Sequence, residues 1–180
     1  MAQRYLIALG SNRRHARHGR PEAVLRAAFA ELDRADLKLG AASRVIASAP
    51  LGPSLRRYAN AAALVETGLA PDRLLARLKA IERAFGRRRG GRRWGARVLD
   101  LDIVLWSGGG WRSPGLAVPH AAFRARGFVL GPLATIAARW RDPQTGLTPR
   151  HLLARLTRPR PLPIAARGGA RSSVGRAADF

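Results

Sequence analysis

The chain has 180 residues, of which 33 are lysine or arginine and 11 are aspartate or glutamate, so its formal net charge is +22. Its length is typical of one compact domain, and a hydrophobic share of 47% excludes a chain that is disordered throughout. The absence of cysteine excludes disulfides and thiolate chemistry, and no apolar run approaches the roughly 20 residues that a membrane span needs.

The first part of the chain predicts a strand, a helix and a second strand. Residues 5–9 form an apolar run that is typical of a buried strand, and the run ends at turn residues 10–12. A helix is predicted over residues 21–35, because apolar residues recur there at helical spacing behind a proline. Residues 43–48 predict the second strand.

The middle of the chain predicts a further strand and a second helix. Residues 58–66 are expected to form the strand, and the side chains on one of its faces are Tyr58, Asn60, Ala62 and Leu64. Pro71 is expected to open the helix, which ends near Gly86. The apolar stripe of this helix consists of Leu74, Leu78, Ile81 and Phe85.

A basic loop at residues 87–93 leads into a last core strand, predicted over residues 98–105. We expect four of its side chains to point into the core: Leu99, Leu101, Ile103 and Leu105. Residues 108–110 predict a turn, and residues 114–118 predict a short return strand. Two short helices are expected after it, at residues 127–138 and 148–156.

The order strand, helix, strand, strand, helix, strand is that of the ferredoxin-like split βαβ fold. We therefore predict an α+β fold: a ferredoxin-like βαββαβ core with a mostly antiparallel sheet, helices on one face, and an extra C-terminal hairpin and short helices. Residues 1–157 are expected to form this single domain. Residues 158–180 are rich in proline, glycine, arginine and serine, which predicts a disordered basic tail.

The pair Asp100 and Asp102 says most about chemistry. On a strand, their spacing places both carboxylates on one face. Two carboxylates this close repel each other unless a cation lies between them, and Mg²⁺ is commonly held by one or two carboxylates together with substrate phosphates. A pair of surface aspartates bonded to neighbouring arginines explains the spacing equally well, so the spacing alone leaves both interpretations open.

Arginines surround this pair, with Trp94 among them. They are Arg87, Arg88, Arg89, Arg92, Arg93 and Arg97. Arginine forks bind phosphate oxygens, and carboxylates beside them favour MgATP over RNA, because RNA binding gains little from two acids at its centre. Tyr58, Asn60 and Phe128 would together suit a planar heterocycle, although each is also an ordinary core residue.

Taken in order, these segments resemble the 6-hydroxymethyl-7,8-dihydropterin pyrophosphokinase family over residues 5–156. The matching motifs include Ala8-Leu-Gly-Ser-Asn12, Ser48-Ala-Pro-Leu-Gly-Pro53, Tyr58-Ala-Asn60, Arg92-Arg-Trp-Gly-Ala-Arg97, Leu99-Asp-Leu-Asp-Ile103 and Val118-Pro-His120. The resemblance implies an enzyme of folate biosynthesis that transfers pyrophosphate from ATP to the hydroxymethyl group of the pterin, giving AMP and the pterin diphosphate.

The resemblance also implies roles for individual residues. The implied catalytic residues are Arg87, Arg97, Asp100 and Asp102, and the two aspartates would hold two Mg²⁺ ions with ATP. The implied ATP-binding residues are Lys79, Glu82, Arg89, Trp94, Arg97, Ile103, His120 and Arg126. The implied pterin-binding residues are Ser48, Ala49, Leu51, Tyr58, Asn60 and Phe128.

Two alternative functions stay open beside this one. A net charge of +22 also fits a basic RNA- or ribosome-binding module, since the ferredoxin-like fold hosts such proteins. A paralogue with a changed acceptor would keep the ATP site and lose the pterin. Under the leading hypothesis, we expect a cytoplasmic monomer whose partners are ATP and 6-hydroxymethyl-7,8-dihydropterin, with neither membrane nor nucleic acid. The cytoplasmic expectation follows from the first ten residues of the chain, which lack a secretory pattern.

Overall fold

The computed structural model of the chain describes residues 2–49, 57–86 and 97–159. Within these ranges, the larger sheet consists of β1 (Gln3–Ser11), β2 (Lys38–Ala42), β3 (Ile46–Ser48), β4 (Tyr58–Thr67) and β5 (Asp100–Trp106). Its strand order is β2-β4-β1-β5, with β3 also beside β4, and all these pairs are antiparallel. This is the strand order of a ferredoxin-like sheet and confirms the predicted α+β fold.

Helices lie on both faces of this sheet. The long helices α1 (Pro21–Glu31) and α2 (Pro71–Ala84) cover one face, as predicted for the βαββαβ core. The shorter helices α3 (Gly127–Ile136) and α4 (Pro149–Thr157) form a second cluster with the opposite face. We call these faces the α1/α2 face and the α3 face.

The division between the two faces follows from the alternation of side chains along the strands. On β1, Tyr5, Ile7 and Leu9 are buried against α1 and α2, whereas Leu6 is buried in the α3 cluster. Proline occupies the first turn of both α1 and α2, where its missing N–H costs nothing. The predicted end of α2 is confirmed, because Gly86 has a φ of +82° just beyond the helix.

The predicted strand at residues 43–48 is wrong in extent, because only β3 lies in this range and a separate strand, β2, precedes it. Ser43 separates them: its N–H donates to the carbonyl oxygen of Ala62 (2.9 Å), and its Oγ accepts from the N–H of Ala62 (2.8 Å). The sequence of β2, Lys-Leu-Gly-Ala-Ala, contains no β-branched or aromatic residue, so it carried no recognisable strand signal.

A one-residue bulge in β5 changes the predicted position of Leu105. Leu6 pairs with Leu105 and Ile7 pairs with Ile103, so Val104 is an extra residue. Leu99, Leu101 and Ile103 point to the α1/α2 face as predicted. Beyond the bulge the alternation is shifted, so Val104 and Leu105 are both buried in the α3 cluster. Trp106 then packs against the α1/α2 side.

The single return strand predicted at residues 114–118 is instead a hairpin of β6 (Trp111–Ser113) and β7 (Leu116–Val118). Its turn contains Gly115 at a φ of +79°, a conformation that glycine adopts without strain. The basic loop at residues 87–93 and the tail from residue 160 lie outside the described residues. None of the helices described is long and apolar enough to cross a membrane.

Candidate active site

A pocket of about 280 Å³ lies on the α3 face, at the end of the sheet where β1 ends and β5 begins. It brings together residues from β3, β4, β5 and the segment that leads into α3. The predicted site residues that line it are Ser48, Tyr58, Asn60, Arg97, Asp100, Asp102, His120, Arg126 and Phe128. Predicted site residues as far apart in the sequence as Ser48 and Phe128 thus share one cavity.

The pocket exists because the side chains on the α3 face become smaller towards this end of β1. Leu6 is buried in the α3 cluster, but the next residues on the same face are Ala8 and Gly10. Gly10 pairs with Asn60 on one side and with Asp100 on the other. A Cβ atom on Gly10 would lie 3.8 Å from Asn60 Oδ1 and 4.0 Å from Asp100 Cβ. Glycine therefore leaves open the space between this amide and this carboxylate.

Asp100 and Asp102 are the first and third residues of β5, and both line the pocket. The Oδ2 atom of Asp100 accepts a hydrogen bond from an Arg97 Nη atom at 2.6 Å. Among the described residues, no group of three or more histidine, cysteine, aspartate or glutamate side chains could hold a metal ion. Two hard carboxylates in an open pocket fit Mg²⁺, which usually completes its coordination with water and substrate phosphates rather than with a full set of protein ligands.

Asn12 positions Arg97, although the sequence analysis gave it no separate role. Its N–H donates to the carbonyl oxygen of Arg97 (3.0 Å), and its Oδ1 accepts from the N–H of Arg97 (2.7 Å). Its Nδ2 is buried and has no hydrogen-bond partner in the part of the chain that the structure describes, and the same holds for Ser11 Oγ. The signal that was available is a Gly-Ser-Asn turn placed directly after a buried strand.

His120 and Arg126 line the pocket from the segment between β7 and α3. The N–H of His120 donates to the carbonyl oxygen of Val104 at 3.0 Å, which ties this segment to β5. The Nδ1 atom of His120 accepts from the N–H of Ala122 at 3.2 Å, which fixes the orientation of the ring. Arg126 precedes α3, and its carbonyl oxygen accepts from the N–H of Val129.

An amide and two aromatic rings line the other part of the pocket. Asn60 is buried on β4, and its Nδ2 donates to Ser48 Oγ across the β3–β4 pair at 2.8 Å. Its Oδ1 accepts no hydrogen bond from the described residues, and Ser48 still has a hydroxyl hydrogen to donate. Tyr58 and Phe128 are partly buried beside them. This combination offers flat apolar surface with a donor and an acceptor at its edge.

Four predicted site residues do not line the pocket, although they are described. Glu82 is fully buried; its Oε1 accepts from the N–H of Leu101 (2.7 Å) and from Lys79 Nζ (2.8 Å). Leu101 lies between the two aspartates, so Glu82 ties α2 to the strand that carries them. Ile103 is buried on the α1/α2 face, and Ala49 is exposed. The roles implied for these four stay predictions.

Four more predicted residues lie outside the described ranges. They are Leu51, Arg87, Arg89 and Trp94.

Comparison with known proteins identifies relatives over most of the chain. The model of the family 7,8-dihydro-6-hydroxymethylpterin-pyrophosphokinase matches residues 6–138. The chain is 42% identical over 156 residues to the 2-amino-4-hydroxy-6-hydroxymethyldihydropteridine pyrophosphokinase of Pseudomonas aeruginosa, covering 86% of this chain and 93% of that protein. The protein of the same name from Haemophilus influenzae is 40% identical over 134 residues, covering 73% of this chain and 80% of that protein. That from Pseudomonas putida is 43% identical over 121 residues, covering 67% and 96%.

Proposed function

Since the chain belongs to the 7,8-dihydro-6-hydroxymethylpterin-pyrophosphokinase family, we propose that the pocket at the end of its sheet is the active site. The enzyme transfers a pyrophosphoryl group from ATP to the hydroxymethyl group of 6-hydroxymethyl-7,8-dihydropterin in folate biosynthesis. The family and the reaction predicted from the sequence are thus confirmed. The observation that carries the site assignment is that Asp100, Asp102 and Arg97 share one pocket with Asn60 and Tyr58.

The reaction is ATP-dependent and, as is general in this family, Mg²⁺-dependent. We propose that Asp100 and Asp102 hold two Mg²⁺ ions, because their carboxylates share one face of β5 and line the pocket. When bound, Mg²⁺ offsets phosphate charge and lowers the pKa of the attacking hydroxyl. The contribution of the chain itself is to hold two carboxylates at a fixed spacing, which β5 and its bond to Glu82 provide.

Arg97 is proposed to bind the phosphates of ATP. Its guanidinium lies in the pocket and uses one Nη atom for Asp100, which leaves other N–H groups to donate to phosphate oxygens. The bonds from Asn12 fix its backbone, so the guanidinium starts from a defined position. Arg87 is proposed as a second phosphate contact. The further ATP contacts proposed are Lys79, Glu82, Arg89, Trp94, Ile103, His120 and Arg126.

The pterin is proposed to lie against Tyr58 and Phe128, with its polar edge at Asn60 and Ser48. The open space at Gly10 connects this amide to Asp100, so a ring held by Asn60 can extend its hydroxymethyl group towards the carboxylates. Bringing the hydroxyl and the β-phosphorus together in one pocket supplies the entropic part of the rate enhancement. Ala49 and Leu51 are proposed to complete the pterin site.

We also propose that the enzyme is a cytoplasmic monomer that binds no nucleic acid, with residues 1–157 as its domain. In support of a monomer, Ile46 and Leu156 are the only large apolar side chains that are exposed in the described part of the chain. They lie on different elements, and single exposed apolar residues do not form an interface.

The decisive experiment measures AMP release from MgATP by the purified protein, with and without 6-hydroxymethyl-7,8-dihydropterin. We expect release that depends on the pterin in the wild type and is lost in Asp100→Ala. The matched control is Asp36→Ala, which removes an exposed aspartate paired with Arg77 away from the pocket and should retain full activity. AMP release without any dependence on the pterin, or equal activity in Asp100→Ala, would contradict the proposal. Tight, steeply salt-dependent RNA binding without MgATP binding would support the RNA-binding alternative.

A further inference from the structure

The segment that carries His120 and Arg126 is not part of either sheet. Between these two residues the chain passes through the 3₁₀ turn Phe123–Ala125 and then enters α3. Its upstream end is tied to Val104 by the hydrogen bond from the N–H of His120, and its downstream end is fixed by the start of α3. The positions of both pocket-lining side chains therefore depend on what holds this turn.

Arg124, in the middle of the turn, is held by a fully buried carboxylate. Its Nε donates to Asp142 Oδ2 and an Nη atom donates to Asp142 Oδ1, both at 2.7 Å. The guanidinium also lies over the ring of Phe123, 4.7 Å from its centroid. Burial alone would raise the pKa of Asp142, but hydrogen bonds from Arg124 and Thr145 outweigh it and lower this pKa. Two parallel charge-assisted bonds fix both the position and the plane of the guanidinium.

The loop that carries Asp142 is also well defined. Thr145 Oγ1 donates to Asp142 Oδ2 at 2.6 Å, and the N–H of Gln144 donates to Asp142 Oδ1 at 3.2 Å. The backbone N–H of Asp142 donates to the carbonyl oxygen of Leu147 (2.9 Å), and that of Gly146 donates back to Asp142 (2.8 Å). The carboxylate is thus presented to the turn in one orientation.

We propose that Asp142 is a positioning residue for the nucleotide side of the active site. Acting through Arg124, it fixes the turn from which His120 and Arg126 reach the pocket. Neither Asp142 nor Arg124 lines the pocket, so the effect on substrate is indirect. The inference rests on the proposed role of His120 and Arg126 in binding ATP. Asn60 and Tyr58 lie on β4 and Phe128 lies within α3, outside the turn, so pterin binding should change less than MgATP binding.

The test compares Asp142→Asn with the wild type. The Michaelis constant for MgATP should rise about tenfold, because a small displacement of binding groups is costly, while kcat and the Michaelis constant for the pterin change less than about twofold. Thr145→Val removes one bond to the carboxylate and should shift the same constant in the same direction but less. Thr145→Ser keeps the hydroxyl that donates to Asp142, so its Michaelis constant for MgATP should equal that of the wild type. The exposed pair of Asp36 with Arg77 supplies the control, since Asp36→Asn should leave all constants unchanged.

Two further measurements separate positioning from a general loss of stability. Leu152→Val trims a buried side chain in the same α3 cluster without touching the ion pair, and it should not change the Michaelis constant for MgATP. The Michaelis constant for MgATP should be no higher in the double variant Arg124→Gln with Asp142→Asn than in Arg124→Gln alone, because both substitutions break the same ion pair. An unchanged constant in Asp142→Asn, or an equal rise in Leu152→Val, would overturn the inference.

The affinity for a non-hydrolysable MgATP analogue, measured by calorimetry without pterin, gives the same comparison independently of turnover. We expect the dissociation constant of Asp142→Asn to be about tenfold higher than that of the wild type. If the wild type released no pterin-dependent AMP, the proposed function would fail, and this titration would still test the positioning role. Equal dissociation constants in the two proteins would overturn the positioning role while leaving the proposed function intact.

Discussion

Replacing Glu82 by alanine should destabilise the protein by about 3 kcal/mol. The Leu101 N–H would then be left without its acceptor inside the protein, which costs about 1–3 kcal/mol, and the space vacated by the side chain adds about 1 kcal/mol. Lys79, which also bonds Glu82, contributes little to the loss, because its side chain is 33% exposed and can be hydrated.

Glu82→Gln should cost only about 1 kcal/mol, since the amide oxygen can still accept from Leu101 and only the charge is lost. Glu31→Ala is the matched control: Glu31 forms an exposed pair with Arg34, so its loss should cost less than about 0.5 kcal/mol. Urea unfolding measures all three variants, and the midpoint of Glu82→Ala should fall by about 1.5 M if the slope is near 2 kcal/mol/M and unchanged.

A loss below about 0.5 kcal/mol in Glu82→Ala, or equal losses in the alanine and glutamine variants, would refute this account of the buried carboxylate. The same proteins also test the nucleotide contact predicted for Glu82. A raised Michaelis constant for MgATP in Glu82→Gln, assayed where the variant is fully folded, would support a direct contact. An unchanged constant would favour a role through β5 alone.

Three other perturbations test the pocket and its surroundings. Gly10→Val should lower pterin-dependent kcat/KM about 100-fold at unchanged melting temperature, because its side chain fills the gap beside Asn60; near-normal kinetics would contradict this. Asn12→Ala should lower kcat about tenfold by releasing the backbone of Arg97, and a steady-state assay that finds wild-type kcat would count against it. Burial, and after it the nearby His15, lower the pKa of His18 below its ordinary value of 6.5. The neutral His18 ring therefore contributes its full stability above pH 6.5, and this contribution is lost as the pH falls through the lowered pKa. Urea unfolding from about pH 7 to about pH 5 should show a shallower decline for His18→Gln than for the wild type, and equal declines would refute the assignment.

Local sequence patterns were sufficient to predict the elements in which apolar or acidic side chains recur at helical or strand spacing. The predicted face of β4 is the α3 face, α2 carries a continuous apolar stripe, and the i, i+2 spacing of Asp100 and Asp102 placed both carboxylates on one face. β2 could not be recognised, because its small and exposed residues have no strand preference of their own. It is stable as a strand because it pairs with β4.

Much of the site depends on contacts that no local pattern encodes. Asn12 meets Arg97 85 positions later, and Arg124 meets Asp142 across 18 positions, so each pair is brought together only by the completed fold. The same applies to Glu82, whose acidic side chain on a helix is typical of a solvated surface residue. In the fold it is buried instead, and its carboxylate accepts from the Leu101 N–H at the edge of β5.

The extra residue Val104 divides β5 into two parts of opposite phase. Upstream of it, even-numbered residues face the pocket; downstream, the odd-numbered Leu105 faces the same way and Trp106 turns back to stack on Tyr5. A single-residue insertion or deletion beyond Val104 can therefore be absorbed locally, by removing or enlarging the bulge. The same change before it would reverse the phase of the strand and turn both carboxylates away from the pocket. The two ends of β5 thus tolerate changes in length to very different degrees. Only the end that carries the aspartates tolerates neither an insertion nor a deletion.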